Sequence, residues 1–141
     1  ACLVGSEMCI RDRMYKNDIN GLGGNDDCGQ MSAWYLFSVM GFYPVCPGTD
    51  QYVLGAPYLP YLKMTLPNGK TLEIKAPGVS DKKRYVQSLK LNGKVYDKMY
   101  ITHEDILKGG VLEFKMGASP NKRRGLSPED KPYSLTNGIN K

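Results

Sequence analysis

Histidine is nearly absent from this 141-residue chain, and its scarcity excludes several kinds of catalytic and metal-binding site. The single histidine, His103, has no second histidine to join it and no cysteine beside it, so a Cys/His nucleophile system is not supported. The four cysteines form no Cys-x-x-Cys pair, which argues against a zinc site. We therefore expect His103 to be structural or solvent-facing, and we interpret Cys28 and Cys46 as buried thiols rather than a disulfide.

The chain also lacks a long apolar run. No stretch of about 18 apolar residues is present, so no transmembrane helix is encoded. The first residues do not show the basic, apolar and small-residue zones of a signal peptide. We expect no membrane span and find no targeting signal in this sequence.

Clustered positive charge is scarce despite a net charge of +5 and an isoelectric point near 9.0. The lysines and arginines are mostly scattered between strand-like segments, which does not indicate a nucleic-acid-binding face. One tight basic cluster, Lys122-Arg123-Arg124, is followed by a Ser/Pro/Asn-containing stretch. This composition predicts a flexible basic tail over residues 121–141.

The first 13 residues show no helical or alternating pattern that continues into residue 14 and beyond. The string Gly5-Ser6-Glu7-Met8-Cys9-Ile10-Arg11-Asp12 resembles the translated adapter sequence sometimes fused to genes predicted from short-read assemblies. That resemblance predicts an artefactual extension over residues 1–13, with the protein itself starting near residue 14. A genuine irregular N-terminus is the alternative.

What the chain does contain is an acidic, glycine-flanked loop ahead of an apolar run. The loop reads Gly24-Asn25-Asp26-Asp27-Cys28-Gly29-Gln30, and residues 30–40 are apolar around most of a helical circumference, which predicts a buried helix. Asp27, with Gln30 three positions later, resembles a capping box, and Gly41 supplies the stop signal. The acids thus have two explanations, a helix cap or a functional site beside glycines that let backbone approach a ligand closely.

After the helix, a proline-rich connector over residues 45–60 precedes alternating segments typical of strands. Asn-Gly pairs between alternating runs predict hairpins, and Thr102 is a candidate cap for a short helix that ends at Gly109-Gly110. The predicted strands are Gln51–Leu54, Leu62–Leu66, Thr71–Lys75, Tyr85–Leu91, Lys94–Met99 and Val111–Met116. The fold class is therefore α+β, one buried helix followed by a small antiparallel β-sheet of hairpins. A helix so apolar must be covered on several sides, which indicates a larger helical assembly not encoded here.

Several separated motifs, in order, resemble one known family. The run from Gly24 to Tyr35, its continuation through Met40-Gly41-Phe42-Tyr43-Pro44, and the later segments 102–106 and 109–117 resemble the C-terminal part of glycoside hydrolase family 92. The similarity extends over about residues 15–121. Members of that family are calcium-dependent exo-acting α-mannosidases, typical of gut and soil Bacteroidetes.

The resemblance implies an N-terminal β-sandwich followed by an (α/α)₆ barrel, of which this chain keeps the end. Residues 14–57 would be the end of the catalytic barrel, with the helix as a terminal barrel helix, and residues 58–120 the C-terminal antiparallel β region. In the intact enzyme both would pack against the missing barrel and sandwich. The family also implies a periplasmic, outer-membrane-associated or secreted location.

The resemblance further implies a glycan substrate with terminal α-linked mannose and hydrolysis with inversion. Asp27 aligns with the general base, Asn25 and Asp26 take supporting roles, and Gly24 and Gln30 contact substrate. The helix N-terminus favours negative charge, which suits a base. The general acid and the principal calcium ligands lie upstream, so calcium is implied as a cofactor but no metal ligand is assigned here. We expect this fragment to be inactive alone.

Two other functions remain open from the sequence. The chain could be a non-catalytic carbohydrate-binding β module, for which saturable sugar binding without turnover is diagnostic. It could also be the remnant of another (α/α)₆-barrel enzyme, such as a glycoside phosphorylase, for which a phosphate requirement is diagnostic.

Overall fold

Two small β-sheets with one long helix beside them make up the structure, a computed structural model that describes residues 9–138. Residues 1–8 of the predicted extension and residues 139–141 of the predicted tail lie outside the described residues. Besides a helical segment over residues 9–14, the described helices are α1 (Gln30–Met40), α2 (His103–Lys108) and α3 (Leu135–Gly138), with a 3₁₀ turn at Pro128–Asp130. The strands are β1 (Phe42–Tyr43), β2 (Gln51–Leu54), β3 (Tyr61–Thr65), β4 (Thr71–Lys75), β5 (Tyr85–Leu91), β6 (Lys94–Val95), β7 (Tyr100–Thr102) and β8 (Gly110–Gly117).

The larger sheet has five strands in the order β3-β4-β8-β5-β6, and the smaller has three in the order β1-β2-β7. The α+β class is confirmed, but the expectation of one purely antiparallel sheet is wrong. Strands β4 and β8 run parallel, with Leu72 opposite Gly110. Parallel strands cannot be joined by a tight hairpin and need a long connection, which here runs from β5 through α2. No hairpin signal in the sequence predicts such a pairing.

Both predicted hairpins form, by two different turns. In the β5/β6 hairpin the two central residues, Asn92 (φ 52°) and Gly93 (φ 79°), are both left-handed, as a two-residue type I′ turn requires. In the β3/β4 hairpin only Gly69 is left-handed, and its N–H donates to the carbonyl of Leu66 at 2.9 Å. That turn is the longer three-residue kind, in which proline opens the turn and glycine ends it. Strand β6 is two residues long, shorter than predicted.

The inner face of the larger sheet and that of the smaller sheet contribute to one apolar core. Alternate residues of β4 and β8 are buried, as the pattern predicts. The smaller sheet adds Phe42, Leu54 and Ile101 to the same cluster. The buried members from the larger sheet are Leu72, Ile74, Leu89, Leu112, Phe114 and Met116. The apolar face of the larger sheet must pack against another element, and the smaller sheet of the same chain supplies part of that packing.

Helix α1 is much more exposed than predicted. Only Ser38 and Val39 are buried among its residues, and Leu36 is 60% exposed. The expectation of a buried helix is therefore wrong within this chain, where Phe37 of α1 packs against the rings of Phe42, Tyr43 and Tyr52 in the smaller sheet. Gly41 ends the helix as predicted, with φ 84° and its N–H donating to the carbonyl of Phe37 at 3.0 Å.

The two ends of the described chain make more contacts with the rest of the fold than the sequence indicates. Residues 9–14 are helical, and the guanidinium of Arg11 lies 3.7 Å from the centre of the Tyr58 ring. In the predicted flexible tail, Arg124 donates hydrogen bonds to two backbone carbonyls, and the Met99 N–H donates to the carbonyl of Asp130 at 2.7 Å. Tyr133 N–H also donates to the Gln51 side chain at 2.7 Å. Residues 121–133 thus lie against the β6–β7 connection and β2.

Candidate functional site

The acidic loop before α1 has an unusual backbone. Asp27 (φ 47°), Cys28 (φ 61°) and Gly29 (φ 92°) are left-handed in succession. For residues with a Cβ this conformation costs roughly 1–2 kcal/mol each, somewhat less for aspartate. Such strain persists only where surrounding contacts enforce it, and it is concentrated at functional sites.

Asp26, rather than Asp27, caps the start of α1. Its carboxylate accepts hydrogen bonds from the backbone N–H of Ser32 at 2.8 Å and from the Ser32 hydroxyl at 3.0 Å. The carbonyl of Asp26 accepts from the Met31 N–H at 3.3 Å, and that of Asp27 accepts from the Gln30 N–H at 3.4 Å. The predicted capping box from Asp27 to Gln30 is therefore wrong, since the residue at the N-cap position is Gly29. Because of the left-handed turn, the side chain that caps α1 is that of Asp26, one residue earlier in the chain than predicted.

The Asp27 carboxylate is left available. Its side chain is exposed, and within residues 9–138 it makes no hydrogen bond or ion pair. Of the other predicted site residues, Gly24 and Asn25 are exposed in the same loop and Gln30 is exposed at the first position of α1. The five predicted residues lie together at the start of α1, but the two acids differ in their contacts. The Asp26 carboxylate is hydrogen-bonded to the helix, whereas the Asp27 carboxylate is open to solvent.

Tyr15 holds the first turn of α1 from the other side. Its hydroxyl donates to the carbonyl of Met31 at 2.9 Å, and its ring stacks on Trp34 with centroids 5.6 Å apart. Burial, with a further contribution from the negative charge of Asp26, raises the pKa of Tyr15 above its ordinary value. Sequence reasoning missed this role because Tyr15 precedes the helix in an irregular segment with no periodic pattern.

A cleft of about 620 Å³ lies beside the acidic loop. It is lined by residues 15–22, together with Gly24 and Tyr35. The segment 15–22 folds back on itself through a bridge between Tyr15 and Leu22 and a 2.8 Å hydrogen bond from Lys16 N–H to the Gly21 carbonyl. A side chain at Gly21 would overlap the carbonyl oxygen of Lys16, so glycine is required there.

The described part of the chain does not fit a calcium site. No group of three or more His, Cys, Asp or Glu side chains comes close enough within residues 9–138 to hold a metal ion. Since calcium in proteins takes six to eight oxygen ligands, the one open carboxylate at the loop is not a cage for it. The described cysteines are free, and because Cys28 is exposed and Cys46 only partly buried, the interpretation of both as buried thiols is wrong.

His103 is the first residue of α2. Its Nδ1 is 3.1 Å from the Tyr52 hydroxyl and its backbone N–H donates to the Asp50 carbonyl at 2.7 Å. The ring is exposed, so the expectation of a structural or solvent-facing histidine is confirmed. Thr102 caps α2 as predicted, its Oγ1 accepting from the Asp105 N–H at 3.1 Å. No helix among the described residues is long and apolar enough to cross a membrane.

The same arrangement of elements occurs within solved glycoside hydrolases. The α-mannosidase BT3965 of family GH92 from Bacteroides thetaiotaomicron matches with a TM-score of 0.87 and 45% identity, over 94% of this chain and 18% of its own. The family GH92 inverting mannosidase BT2199 from the same organism gives 0.84 and 38%, again over 94% and 18%. An uncharacterized secreted glycosidase of Arthroderma benhamiae is 34% identical over 89% of this chain and 16% of its own length.

The chain is similar to an α+β portion of these glycosidases and spans under a fifth of the length of each. The catalytic domain of glycosyl hydrolase family 92 matches residues 8–118. The chain therefore belongs to glycosyl hydrolase family 92. The matched range includes residues 8–13, which the sequence assigns to an artefactual extension, so that assignment stays a prediction.

Proposed function

We propose that this chain is the C-terminal part of an inverting exo-α-mannosidase, which removes terminal α-linked mannose from glycans, and that Asp27 is its general base. The observation that carries the proposal is the division of the two acids, with Asp26 bonded to the helix and the Asp27 carboxylate exposed and unpaired among the described residues. Support comes from one relative described as an α-mannosidase and another described as an inverting mannosidase.

In an inverting glycosidase, a carboxylate removes a proton from water while a carboxylic acid protonates the leaving oxygen, the two groups being roughly 6.5–9.5 Å apart. Asp27 can supply the first of these groups. Asp26 is a poor candidate because both of its oxygens already accept hydrogen bonds from Ser32. We propose that the general acid lies outside this chain, which leaves the isolated chain inactive.

Helix α1 would then be a terminal helix of the (α/α)₆ barrel. Its exposed apolar surface, including Leu36, supports this placement because a surface of that kind needs covering. The missing barrel and N-terminal β-sandwich would supply the cover. Calcium would be held by residues outside the described part, and no step of the proposed reaction is assigned to it. Secretion or export is proposed from the secreted fungal relative.

The test is a chimera in which residues 15–121 replace the corresponding segment of the α-mannosidase BT3965, to which this chain is 45% identical. Asp27→Asn in that chimera should reduce kcat at least about 100-fold, the lower end for general acid/base catalysis. The matched control is Asp50→Asn, which changes an exposed acid outside the loop.

The anomeric configuration of the product provides a second measurement. Proton NMR in the first minutes should show release of β-mannose, because one displacement inverts the α-linkage. Near-normal turnover of Asp27→Asn would reduce Asp27 to a loop residue without a catalytic role. A strict requirement for phosphate would assign the protein to the phosphorylases instead.

A further inference from the structure

The contact between Asp26 and Ser32 is a two-point clamp that closes the acidic loop. Oδ1 of Asp26 accepts from the backbone N–H of Ser32 and Oδ2 accepts from its hydroxyl, at 2.8 and 3.0 Å. Both oxygens of one carboxylate are therefore used on one residue, six positions later. Hydrogen bonds to a charged acceptor are stronger than neutral ones, and the paired geometry fixes direction as well as distance.

What the clamp encloses is the strained turn. Asp27, Cys28 and Gly29 lie between its two ends, all left-handed. Because two of these residues carry a Cβ, the turn is not the conformation that the loop would adopt without restraint. If the loop relaxed, the Asp27 side chain would no longer point in the direction that it has in the structure.

The helix side of the clamp is itself anchored. Tyr15 donates to the Met31 carbonyl at 2.9 Å and stacks on Trp34, so the first turn of α1 cannot shift freely toward the loop. The clamp therefore joins a strained turn to a fixed helix end, which is the arrangement needed to hold a reacting group in place.

We propose that Asp26 and Ser32 are positioning residues for the Asp27 carboxylate, acting through the backbone of the left-handed turn and not through contact with substrate. This inference rests on the proposed role of Asp27 as general base. It gives Asp26 a task for which hydrogen-bond acceptance suffices and negative charge is not required.

The test compares four variants of the chimera. Asp26→Ala should lower kcat about 10- to 100-fold with KM little changed, as expected when a catalytic group is misplaced by about 1 Å. Asp26→Asn should recover most of that loss, because its carbonyl oxygen can accept from the Ser32 N–H while its amide N–H donates to the Ser32 hydroxyl oxygen. Ser32→Ala, which removes only the hydroxyl donor, should lower kcat by a smaller factor. Asp27→Asn is the reference for loss of the base itself.

The activities of these variants distinguish the positioning role of Asp26 and Ser32 from the proposed role of Asp27 as the general base. If Asp26→Asn is as inactive as Asp26→Ala, Asp26 acts through its charge and the positioning role is refuted. If Asp26→Ala and Ser32→Ala both keep normal kcat, the clamp is irrelevant to turnover. If Asp27→Asn is active, the proposed base is wrong, whatever the other three variants do.

Amide hydrogen exchange on the full 141-residue chain gives a readout that does not depend on activity. The Ser32 amide should exchange several-fold faster in Asp26→Ala and near the parent rate in Asp26→Asn, since its acceptor is lost only in the first. The Leu112 amide in β8 serves as the internal control for global unfolding. If Asp26→Ala unfolds, Ser32→Ala decides the question, and an unchanged kcat in that variant overturns the proposal.

Discussion

Replacing Gly41 with alanine should destabilise the chain far more than the same change at another left-handed glycine. Gly41 has φ 84°, and a Cβ there would lie 2.5 Å from the backbone nitrogen of Pro57 and 2.9 Å from the carbonyl carbon of Ala56. The Gly41 carbonyl also accepts a 2.8 Å hydrogen bond from the Gly55 N–H. The helix end is thus pressed against the segment after β2, with no room for a methyl group.

The size of the effect comes from two contributions. Forcing a residue with a Cβ into the left-handed region costs roughly 1–2 kcal/mol. Overlap with packed backbone adds about 1–3 kcal/mol, as overpacking does in cores. Gly41→Ala should therefore lower the free energy of unfolding by about 2–5 kcal/mol. Gly48 has φ 87°, but a Cβ there would meet nothing within 4 Å, so Gly48→Ala should lose only the first contribution.

Urea unfolding followed by far-UV circular dichroism measures the difference. With a slope of about 2 kcal/mol per molar urea, the midpoint of Gly41→Ala should fall about 1–2.5 M, and by clearly more than that of Gly48→Ala. Equal midpoint shifts for the two variants would refute the close approach of Gly41 to Pro57. In the chimera, Gly41→Ala should also reduce kcat, since it displaces the helix that carries the acidic loop.

Three further predictions concern the scaffold. Leu112→Ala should lower the free energy of unfolding by about 2–5 kcal/mol, because Leu112 is 0% exposed at the centre of the core. Urea unfolding measures this loss, and a loss under about 1 kcal/mol would contradict the packing described for Leu112. Thr102→Ala should cost about 1 kcal/mol and Thr102→Ser much less, because only the alanine removes the acceptor for the Asp105 N–H; equal losses would exclude the cap. Burial, followed by the charge of Asp105, raises the pKa of Tyr96, so its stabilising effect is complete below about pH 10 and is lost as the pH rises above that value. Tyr96→Phe should show a smaller loss of stability than the parent between about pH 9 and pH 11, and an identical loss would remove Tyr96 as the cause.

The parts of this fold that local chemistry controls are those that the sequence predicts. The Asn92-Gly93 turn, the cap at Thr102 and the helix stop at Gly41 all depend on residues within a few positions of one another. The parallel pairing of β4 with β8 and the whole three-stranded sheet depend on contacts between distant segments. No periodicity within a strand specifies such partners, so these features were not predictable.

The acidic loop shows the same limit at the level of a site. Its composition marks Asp26 and Asp27 as special, yet which of them caps α1 depends on the left-handed turn from Asp27 to Gly29. Of the two non-glycine residues, only Asp27 is of a type enriched at positive φ, and that enrichment is too weak to predict the turn. The exposure of α1 follows in part from the sequence, because a helix apolar around most of its circumference needs more cover than one small sheet can provide.

The position of β8 in the larger sheet has a consequence for how the protein is made. β8 lies between β4 and β5, so the first hairpin and the second hairpin remain separate until residue 117 has left the ribosome. Until then, both hairpins present unpaired inner edges of the kind that recruits other chains. Pairing across such a long connection is slow, because the loop must close before its contacts form. Translation that stops before β8 should therefore produce a chain that aggregates. The five-stranded sheet can form only once β8, its last strand in the sequence, has been synthesised.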